Sequence, residues 1–156
     1  MDLSGTYTFD ADNEAVWNIL MDPDAIANAL PGVDKFDPVD GEDLSWNARM
    51  KISMAAINGN YGGTLRMSDV EPMTRYRLIV NGEGQQSIIS GNAVIHLDYD
   101  ETSQQTLLNW EAEANISGKL ARVGQRVIKA AANMMSNRFF GSLAEQLSSQ
   151  GQPEEQ

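Results

Sequence analysis

Histidine and cysteine, two residue types that often perform catalysis or bind transition metals, are almost absent from the sequence. It has one histidine, His96, and no cysteine, so a histidine-based triad, a multi-histidine metal site and a cysteine nucleophile are excluded by number. His96 alternates with the apolar Ile95 and Leu97, and this strand pattern predicts that the histidine faces solvent.

Carboxylates are the remaining candidates for acid–base or cation chemistry. Glu111 and Glu113 share one face of a predicted strand, and Asp98 lies on the same face of its predicted neighbour. Such carboxylates could bind a cation, although we favour a solvated acidic face. The segment Gly82-Glu83-Gly84 is not a phosphate-binding loop, because no Lys and Ser/Thr follow it at the start of a helix. We therefore predict no catalytic residues and no metal site.

The basic residues are concentrated near the C-terminus, although the chain has a formal net charge of −11. That charge argues against nucleic acid as a partner. Five of the eleven Lys and Arg residues lie between Asn115 and Ala144, where there is no Asp or Glu. On one continuous helix, four of the five would fall within an arc of about 80°. We call these four the basic ridge: Lys119, Arg122, Arg126 and Lys129. The ridge could dock on anionic headgroups or an acidic partner, or could pair with the protein's own carboxylates.

The first third of the chain is predicted to form one strand and two short helices. Residues 3–9 alternate between apolar and polar, as in a half-buried strand. Asp10 or Asp12 is a candidate N-cap for a first helix, and Asp22-Pro23 starts a second. Leu30-Pro31-Gly32 ends that second helix after about two turns.

The remainder is predicted to form a sheet followed by a long helix. From Val33 to about Ser117 apolar residues recur at every second position, which indicates six or seven strands in an antiparallel meander. Turn residues, including Asn81-Gly82 through Gly84, separate these strands. A 3.6-residue period then predicts one helix to about Ser148 or Ser149. We expect a single α+β domain over residues 1–149, with the sheet wrapped around the final helix, and a flexible polar tail over residues 150–156.

Small residues on the facing surfaces of sheet and helix predict unfilled apolar space. They are Gly124 and Ala131 on the helix and Gly63, Gly91, Ala93, Ala112 and Ala114 on the sheet. The alternative is that small residues merely let the helix lie close to the sheet. We predict an apolar ligand pocket lined by Trp46, Met50, Tyr61, Leu65, Leu78, Ile95, Leu97, Leu108, Trp110, Ala112, Leu120, Gly124, Val127, Ala131, Met134, Met135 and Arg138.

Several short motifs occur in an order typical of one protein family. They are Leu3-Ser4-Gly5, Trp17 with Leu20, Asp22-Pro23, Leu30-Pro31-Gly32, Tyr61-Gly62-Gly63-Thr64, Ser68-Asp69-Val70, Gly82-Glu83-Gly84, the segment Ser117–Ile128 and Arg138-Phe139-Phe140. Over about residues 1–147 the chain resembles the CoxG family, which is named for the G subunit of carbon monoxide dehydrogenase. That family belongs to the START-like (SRPBCC) superfamily of helix-grip proteins.

The resemblance implies a carrier of a hydrophobic ligand rather than an enzyme, with no catalytic residues and no cofactor. Members of the family are associated with molybdenum hydroxylases such as carbon monoxide dehydrogenase, in assembly, membrane recruitment or quinone exchange. Arg138 could then donate a hydrogen bond to a quinone carbonyl at the pocket mouth. Two departures from the family pattern stand out. Positions 85 and 86 are both glutamine, and the sequence ends at Gln156 without the membrane-contacting extension of many members, which argues against permanent membrane anchoring.

Two functional classes remain open beside the carrier. The protein could be an adaptor that recruits a molybdenum hydroxylase through the basic ridge, without needing a ligand. An enzymatic role as a cyclase or hydrolase lacks acid–base groups at the predicted inward positions. We expect a cytoplasmic protein with transient contact to the inner membrane face, because the sequence has neither a signal peptide nor an apolar run of about 20 residues.

Overall fold

The computed structural model describes residues 1–54 and 56–151. Within these residues the chain forms seven strands, three α-helices and one 3₁₀ helix. In chain order the elements are β1 (Asp2–Phe9), α1 (Asn13–Leu20), α2 (Pro23–Ala29), β2 (Val33–Pro38), β3 (Ser45–Ile52), β4 (Gly59–Glu71), β5 (Arg75–Gly84), β6 (Ser87–Asp100), β7 (Gln105–Gly118), the 3₁₀ helix Lys119–Val123 and α3 (Gln125–Gly151).

All seven strands belong to one antiparallel sheet with the order β1-β7-β6-β5-β4-β3-β2. The two edge strands, β1 and β2, are therefore joined by α1 and α2, which carry the chain from one side of the sheet to the other. The helix α3 packs against β1, α1 and α2. This arrangement confirms the predicted α+β helix-grip architecture. The sheet has seven strands, the larger of the two predicted numbers.

Both short helices begin at aspartate caps. The Asp12 carboxylate accepts a hydrogen bond from the Ala15 backbone N–H at 2.8 Å, and the Asp22 carboxylate accepts one from Asp24 at 3.0 Å. Pro23 occupies the first turn of α2, where its missing N–H costs no helical hydrogen bond. Each cap fixes where a helix starts, and the apolar residues of both helices are buried in the core.

The C-terminal half of α3 packs into the hydrophobic core. Phe140 and Leu143 on the helix are buried against Phe9 of β1 and Leu20 of α1. The Phe9 and Phe140 rings meet edge to face, with centroids 6.3 Å apart. The N-terminal half of α3 instead turns Ala131 and Ala132 toward the sheet, and there the packing is incomplete.

The predicted single helix after Ser117 is wrong at its start. Strand β7 continues to Gly118, a 3₁₀ helix follows, and α3 begins only at Gln125. Gly118 and Gly124 have φ angles of +86° and +96°, which a right-handed helix cannot include. The 3₁₀ helix is tied to β6, because the Leu120 N–H donates to the Ser87 hydroxyl at 2.7 Å. Residues before and after Gly124 therefore do not share one helical phase.

The turn between β5 and β6 also differs from the prediction. Asn81, Gly82 and Gly84 lie within β5, and the chain reverses at Gln85 and Gln86, which have φ angles of 52° and 58°. Both central residues of a two-residue type I′ hairpin need positive φ. The glycines that were predicted to form the turn therefore lie within a strand. Two glutamines instead adopt the positive φ angles that the turn requires.

Helix α3 extends to Gly151, two residues beyond the predicted limit, and residues 152–156 of the predicted tail lie outside the described residues. Across the described part of the chain, no helix combines the length and the apolar character that a bilayer crossing requires.

Candidate ligand cavity

An apolar cavity with two adjoining lobes lies between the sheet and α3. The glycine lobe, named for Gly62, Gly63 and Gly82 in its wall, has a volume of about 280 Å³. The aromatic lobe, named for Tyr76, Trp110, Phe139 and Phe140, has a volume of about 320 Å³. The lobes adjoin one another, because they share five wall residues: Leu30, Met50, Leu65, Val80 and Met135.

The glycine lobe exists because a row of small residues crosses three strands. Ala48, Gly63 and Gly82 are directly paired in the sheet register of β3, β4 and β5. On the opposite side of the lobe, α3 contributes Ala131 and Ala132. Neither surface has side chains long enough to fill the space between them, so the prediction of small facing residues accounts for this lobe.

The aromatic lobe lies beside α1 and α2 and is shaped by larger side chains. Ala93 and Ala112 are paired on β6 and β7 and provide its floor. The Trp110 indole forms one wall by lying over Gly5 of β1, where a Cβ atom would come within 2.7 Å of the indole Nε1. Phe139 and Phe140 of α3 close the opposite side.

The cavity walls carry no ionisable acid or base other than tyrosine. None of the wall residues of either lobe is Asp, Glu, Lys, Arg or His. Burial raises the pKa of Tyr76 far above its ordinary range and also raises the pKa of Tyr61, so both phenols stay neutral at physiological pH. The Tyr61 hydroxyl donates to the Ile57 carbonyl oxygen at 2.8 Å. The site is chemically suited to hold an uncharged apolar molecule.

Ten of the predicted lining residues lie in the cavity walls: Met50, Tyr61, Leu65, Leu78, Ile95, Trp110, Ala112, Leu120, Ala131 and Met135. Trp46, Leu97 and Leu108 have the predicted inward orientation but are buried in the core, away from both lobes. Trp46 stacks on Phe36 with ring centroids 5.4 Å apart.

Four further predicted residues lie elsewhere. Val127 and Met134 are exposed, at 38% and 48%, and Gly124 is the exposed residue before α3. Arg138 is exposed beside a small cleft of about 140 Å³ that adjoins both lobes through Met135. The exposed positions of Gly124, Val127 and Met134 correct the prediction, which assumed one helix from Ser117, whereas Ala131 and Met135 on α3 do face the cavity.

Several wall residues were missed by the sequence reasoning. On α3 the inward positions include Ile128, Ala132, Ser136 and Phe139, which a helix starting at Gln125 would have identified by its period. The short helices and their connection add Leu20, Ile26, Leu30 and Pro31. Apolar residues on the inward strand parity complete the walls: Ile52, Met67, Tyr76, Val80, Ile89 and Ala93. For Ile57, in the loop before β4, no periodic signal exists.

The acidic residues and the histidine do not converge on a site. Glu111, Glu113 and Asp98 are exposed, and His96 is partly exposed on β6. The Asp98 carboxylate accepts a hydrogen bond from the Asn109 side chain at 3.4 Å. Within the described residues, no group of three or more His, Asp or Glu side chains is close enough together to hold a metal ion.

The basic ridge spans two elements rather than one helix face. Lys119 and Arg122 lie on the 3₁₀ helix, whereas Arg126 and Lys129 lie on α3, and all four side chains are exposed. The salt bridges among the described residues involve Lys35, Arg75 and Arg77 and none of these four. Pairing with the protein's own carboxylates, the alternative interpretation of the ridge, is thus not seen within 4 Å.

Comparisons with known proteins agree on fold and family. The chain superimposes on a conserved protein from Geobacillus kaustophilus with a TM-score of 0.90 and 26% identity, over 96% of each chain. It superimposes on a START superfamily protein from Mycobacterium smegmatis with a TM-score of 0.71 and 12% identity, over 95% of this chain and 97% of that one. No curated protein is significantly similar in sequence. Residues 5–148 match the family model of the G subunit of carbon monoxide dehydrogenase (CoxG). The chain therefore belongs to the CoxG family, within the START-like helix-grip fold.

Proposed function

We propose that this protein is a non-enzymatic carrier that holds a lipid or quinone in the two-lobed cavity. The observation that carries the proposal is a pair of adjoining apolar lobes, about 280 and 320 Å³ in volume, without a charged wall residue. Known ligand pockets of small molecules begin at about 300 Å³. Burying about 300 Å² of apolar ligand surface contributes about 7.5 kcal/mol before the costs of association are subtracted.

The chemistry of the walls supports binding rather than catalysis. General acid–base catalysis needs a group that exchanges protons near the working pH. The ionisable groups of the walls are the phenols of Tyr61 and Tyr76, and burial raises both pKa values above the ordinary value of 10.0. Neither phenol is suited to removing a proton from a substrate at neutral pH.

Family membership links the carrier to a partner. Since the chain belongs to the CoxG family, we propose that its ligand or its surface serves carbon monoxide dehydrogenase or a related molybdenum hydroxylase, in assembly or in exchange of a quinone with the membrane. A cytoplasmic location, with transient contact to the inner membrane face, accords with this role.

Adaptor function is a second candidate, and the basic ridge favours it. Lys119 and Arg122 adjoin Leu120, a wall residue of the glycine lobe, so the ridge lies at that end of the cavity. A ridge at this position would suit ligand transfer at an anionic surface as well as recruitment of an acidic partner. A carrier needs an open cavity to hold its ligand, whereas an adaptor does not.

Plugging the cavity separates the two candidates. Ala131→Phe places a ring in the glycine lobe, and Ala130→Phe places the same ring on the exposed face of the same helix. The carrier proposal expects organic extracts of the purified wild type and Ala130→Phe proteins to contain the same small molecule, identified by mass spectrometry, and extracts of Ala131→Phe to lack it. An empty wild-type extract, together with no thermal shift from quinone or lipid analogues, would refute the carrier. Association with a molybdenum hydroxylase that survives Ala131→Phe would support the adaptor.

A further inference from the structure

The Tyr76 side chain packs against Trp17 at the wall of the aromatic lobe. Tyr76 lies on β5, is 4% exposed and lines the lobe. The Trp17 ring from α1 meets the Tyr76 ring edge to face, with centroids 5.7 Å apart and planes at 84°, and Ile95 is its neighbour on β6. The ring is therefore positioned by packing contacts.

The Tyr76 hydroxyl has no hydrogen-bond partner among the described residues, in contrast to the other tyrosine of the cavity. The Tyr61 hydroxyl donates to a backbone carbonyl at 2.8 Å, whereas none of the side-chain hydrogen bonds within residues 1–54 and 56–149 uses the Tyr76 hydroxyl. Buried hydroxyls in folded proteins are almost always satisfied. Tyr76 lines the open aromatic lobe, so a hydroxyl without a protein partner there is available to a ligand.

The surroundings of this hydroxyl restrict the ligand. The aromatic lobe has no Lys, Arg or His in its wall, so a fatty-acid carboxylate placed there would be a buried, unpaired anion. A carbonyl oxygen needs only one donor and brings no charge. Burial holds the pKa of the phenol above its ordinary value, so the proton needed for donation remains in place.

We propose that Tyr76 anchors the carbonyl end of a neutral apolar ligand in the aromatic lobe, while the rest of that ligand extends into the glycine lobe. This inference rests on the carrier function proposed above. The path between the lobes passes the shared residues Leu65, Val80 and Met135, whose apolar side chains suit an alkyl or isoprenoid chain. The ligand class is thus a ketone or quinone with an apolar tail, and free fatty acids are excluded from this orientation.

Paired probes test the anchor. Decylubiquinone carries two ring carbonyls and a decyl chain, whereas decylbenzene carries the same chain on a ring without oxygen. Affinities of both for the full chain are measured by calorimetric titration, in the wild type and in Tyr76→Phe. The substitution keeps the ring that Trp17 contacts and removes only the hydroxyl. We expect decylubiquinone to bind the variant about threefold to tenfold more weakly, and decylbenzene to bind both proteins equally.

Two further measurements separate an anchor from a structural hydroxyl. The ligand-free Tyr76→Phe protein should be at least as stable to heat as the wild type, because the hydroxyl lost makes no internal hydrogen bond. The infrared carbonyl stretch of bound decylubiquinone should be shifted to lower frequency in the wild type and not in the variant. Tyr61→Phe is the matched control, and it should leave the ratio of the two affinities unchanged.

The outcomes separate the two levels of the proposal. If the wild type binds neither probe, the anchor fails. If its organic extract is also empty and no quinone or lipid analogue shifts its melting temperature, the carrier function fails as well. If the wild type binds both probes and Tyr76→Phe leaves the affinity ratio and the carbonyl frequency unchanged, the anchor is refuted and the carrier stands. Dodecanoate that binds as tightly as decylubiquinone and loses affinity in Tyr76→Phe would also overturn the proposed ligand class.

Discussion

Gly82 lies directly opposite Gly63 in the β4–β5 register, yet the two positions differ in what a Cβ atom would meet. At Gly63 a Cβ would collide with the backbone carbonyl of Asn81, whereas at Gly82 the nearest atom is the Gly62 carbonyl oxygen at 3.6 Å. Gly63 is therefore required by the close approach of two strands. No close contact within the sheet requires glycine at position 82. The absence of a side chain there contributes directly to the volume of the glycine lobe.

Replacing Gly82 with leucine should stabilise the fold and weaken ligand binding. The new side chain would fill part of the glycine lobe and bury apolar surface, contributing about 1 to 2 kcal/mol to the free energy of unfolding. We expect a higher melting temperature and at least tenfold weaker binding of decylubiquinone. Calorimetry of unfolding and of binding on the same preparation measures both.

Gly63→Ala provides the contrast on the adjacent strand. Because its Cβ meets backbone rather than open space, this smaller substitution should lower the free energy of unfolding by at least about 2 kcal/mol. A Gly82→Leu protein that binds normally, or a Gly63→Ala protein as stable as the wild type, would show that the two glycines have been assigned the wrong roles.

The strand pattern was predictable because alternation is a local property. Met50, Leu65 and Leu78 face the cavity as their parity required, and no tertiary information was needed to orient them. The phase of α3 was not predictable in the same way. It depends on two glycines, Gly118 and Gly124, whose positive φ angles interrupt the helix, and the sequence between them has helical periodicity that conceals the break.

The same limit explains the misplaced hairpin. Asn81-Gly82 is the strongest local turn signal in its segment, but tertiary packing uses it as strand. Gln86 then adopts φ +58°, a conformation that costs a residue with a Cβ atom about 1 kcal/mol.

We expect Gln86→Gly to raise the free energy of unfolding by about 0.5 to 1 kcal/mol in chemical denaturation. Gln105→Gly, at the start of β7 where φ is not positive, should lower it. Destabilisation by both substitutions would contradict the turn geometry.

Alkaline pH should lower the free energy of unfolding, in part because Tyr76 is buried. Burial raises the pKa of its phenol above the ordinary value of 10.0, so at pH values above 10 the unfolded chain releases a proton that the folded chain retains. The unfolded state then binds fewer protons, and stability falls as the pH rises through that range. Between pH 9 and pH 11 the wild type should lose about 1.4 kcal/mol more than Tyr76→Phe. Parallel pH–stability curves for the two proteins would refute this contribution.

Charge reversal on the basic ridge tests the proposed contact with an anionic surface. Arg122 and Arg126 are exposed on successive elements, on either side of Gly124. Replacing both with glutamate should weaken sedimentation with phosphatidylglycerol-containing vesicles by at least about tenfold at low salt, because each basic residue near such a surface contributes about 1 kcal/mol. High salt should weaken binding of the wild type in the same assay, since exposed charges are screened.

The matched control for the ridge changes the same net charge elsewhere. Arg49 and Arg66 are exposed on β3 and β4, on the face of the sheet that points away from α3. Their replacement by glutamate gives an equally acidic protein with an intact ridge, so vesicle binding should persist. If the two double variants bind equally well, attraction depends on total charge or on another surface. If only the ridge variant loses binding, the cations at the end of the glycine lobe bring the cavity to an anionic surface, which is what a carrier that exchanges its ligand there requires.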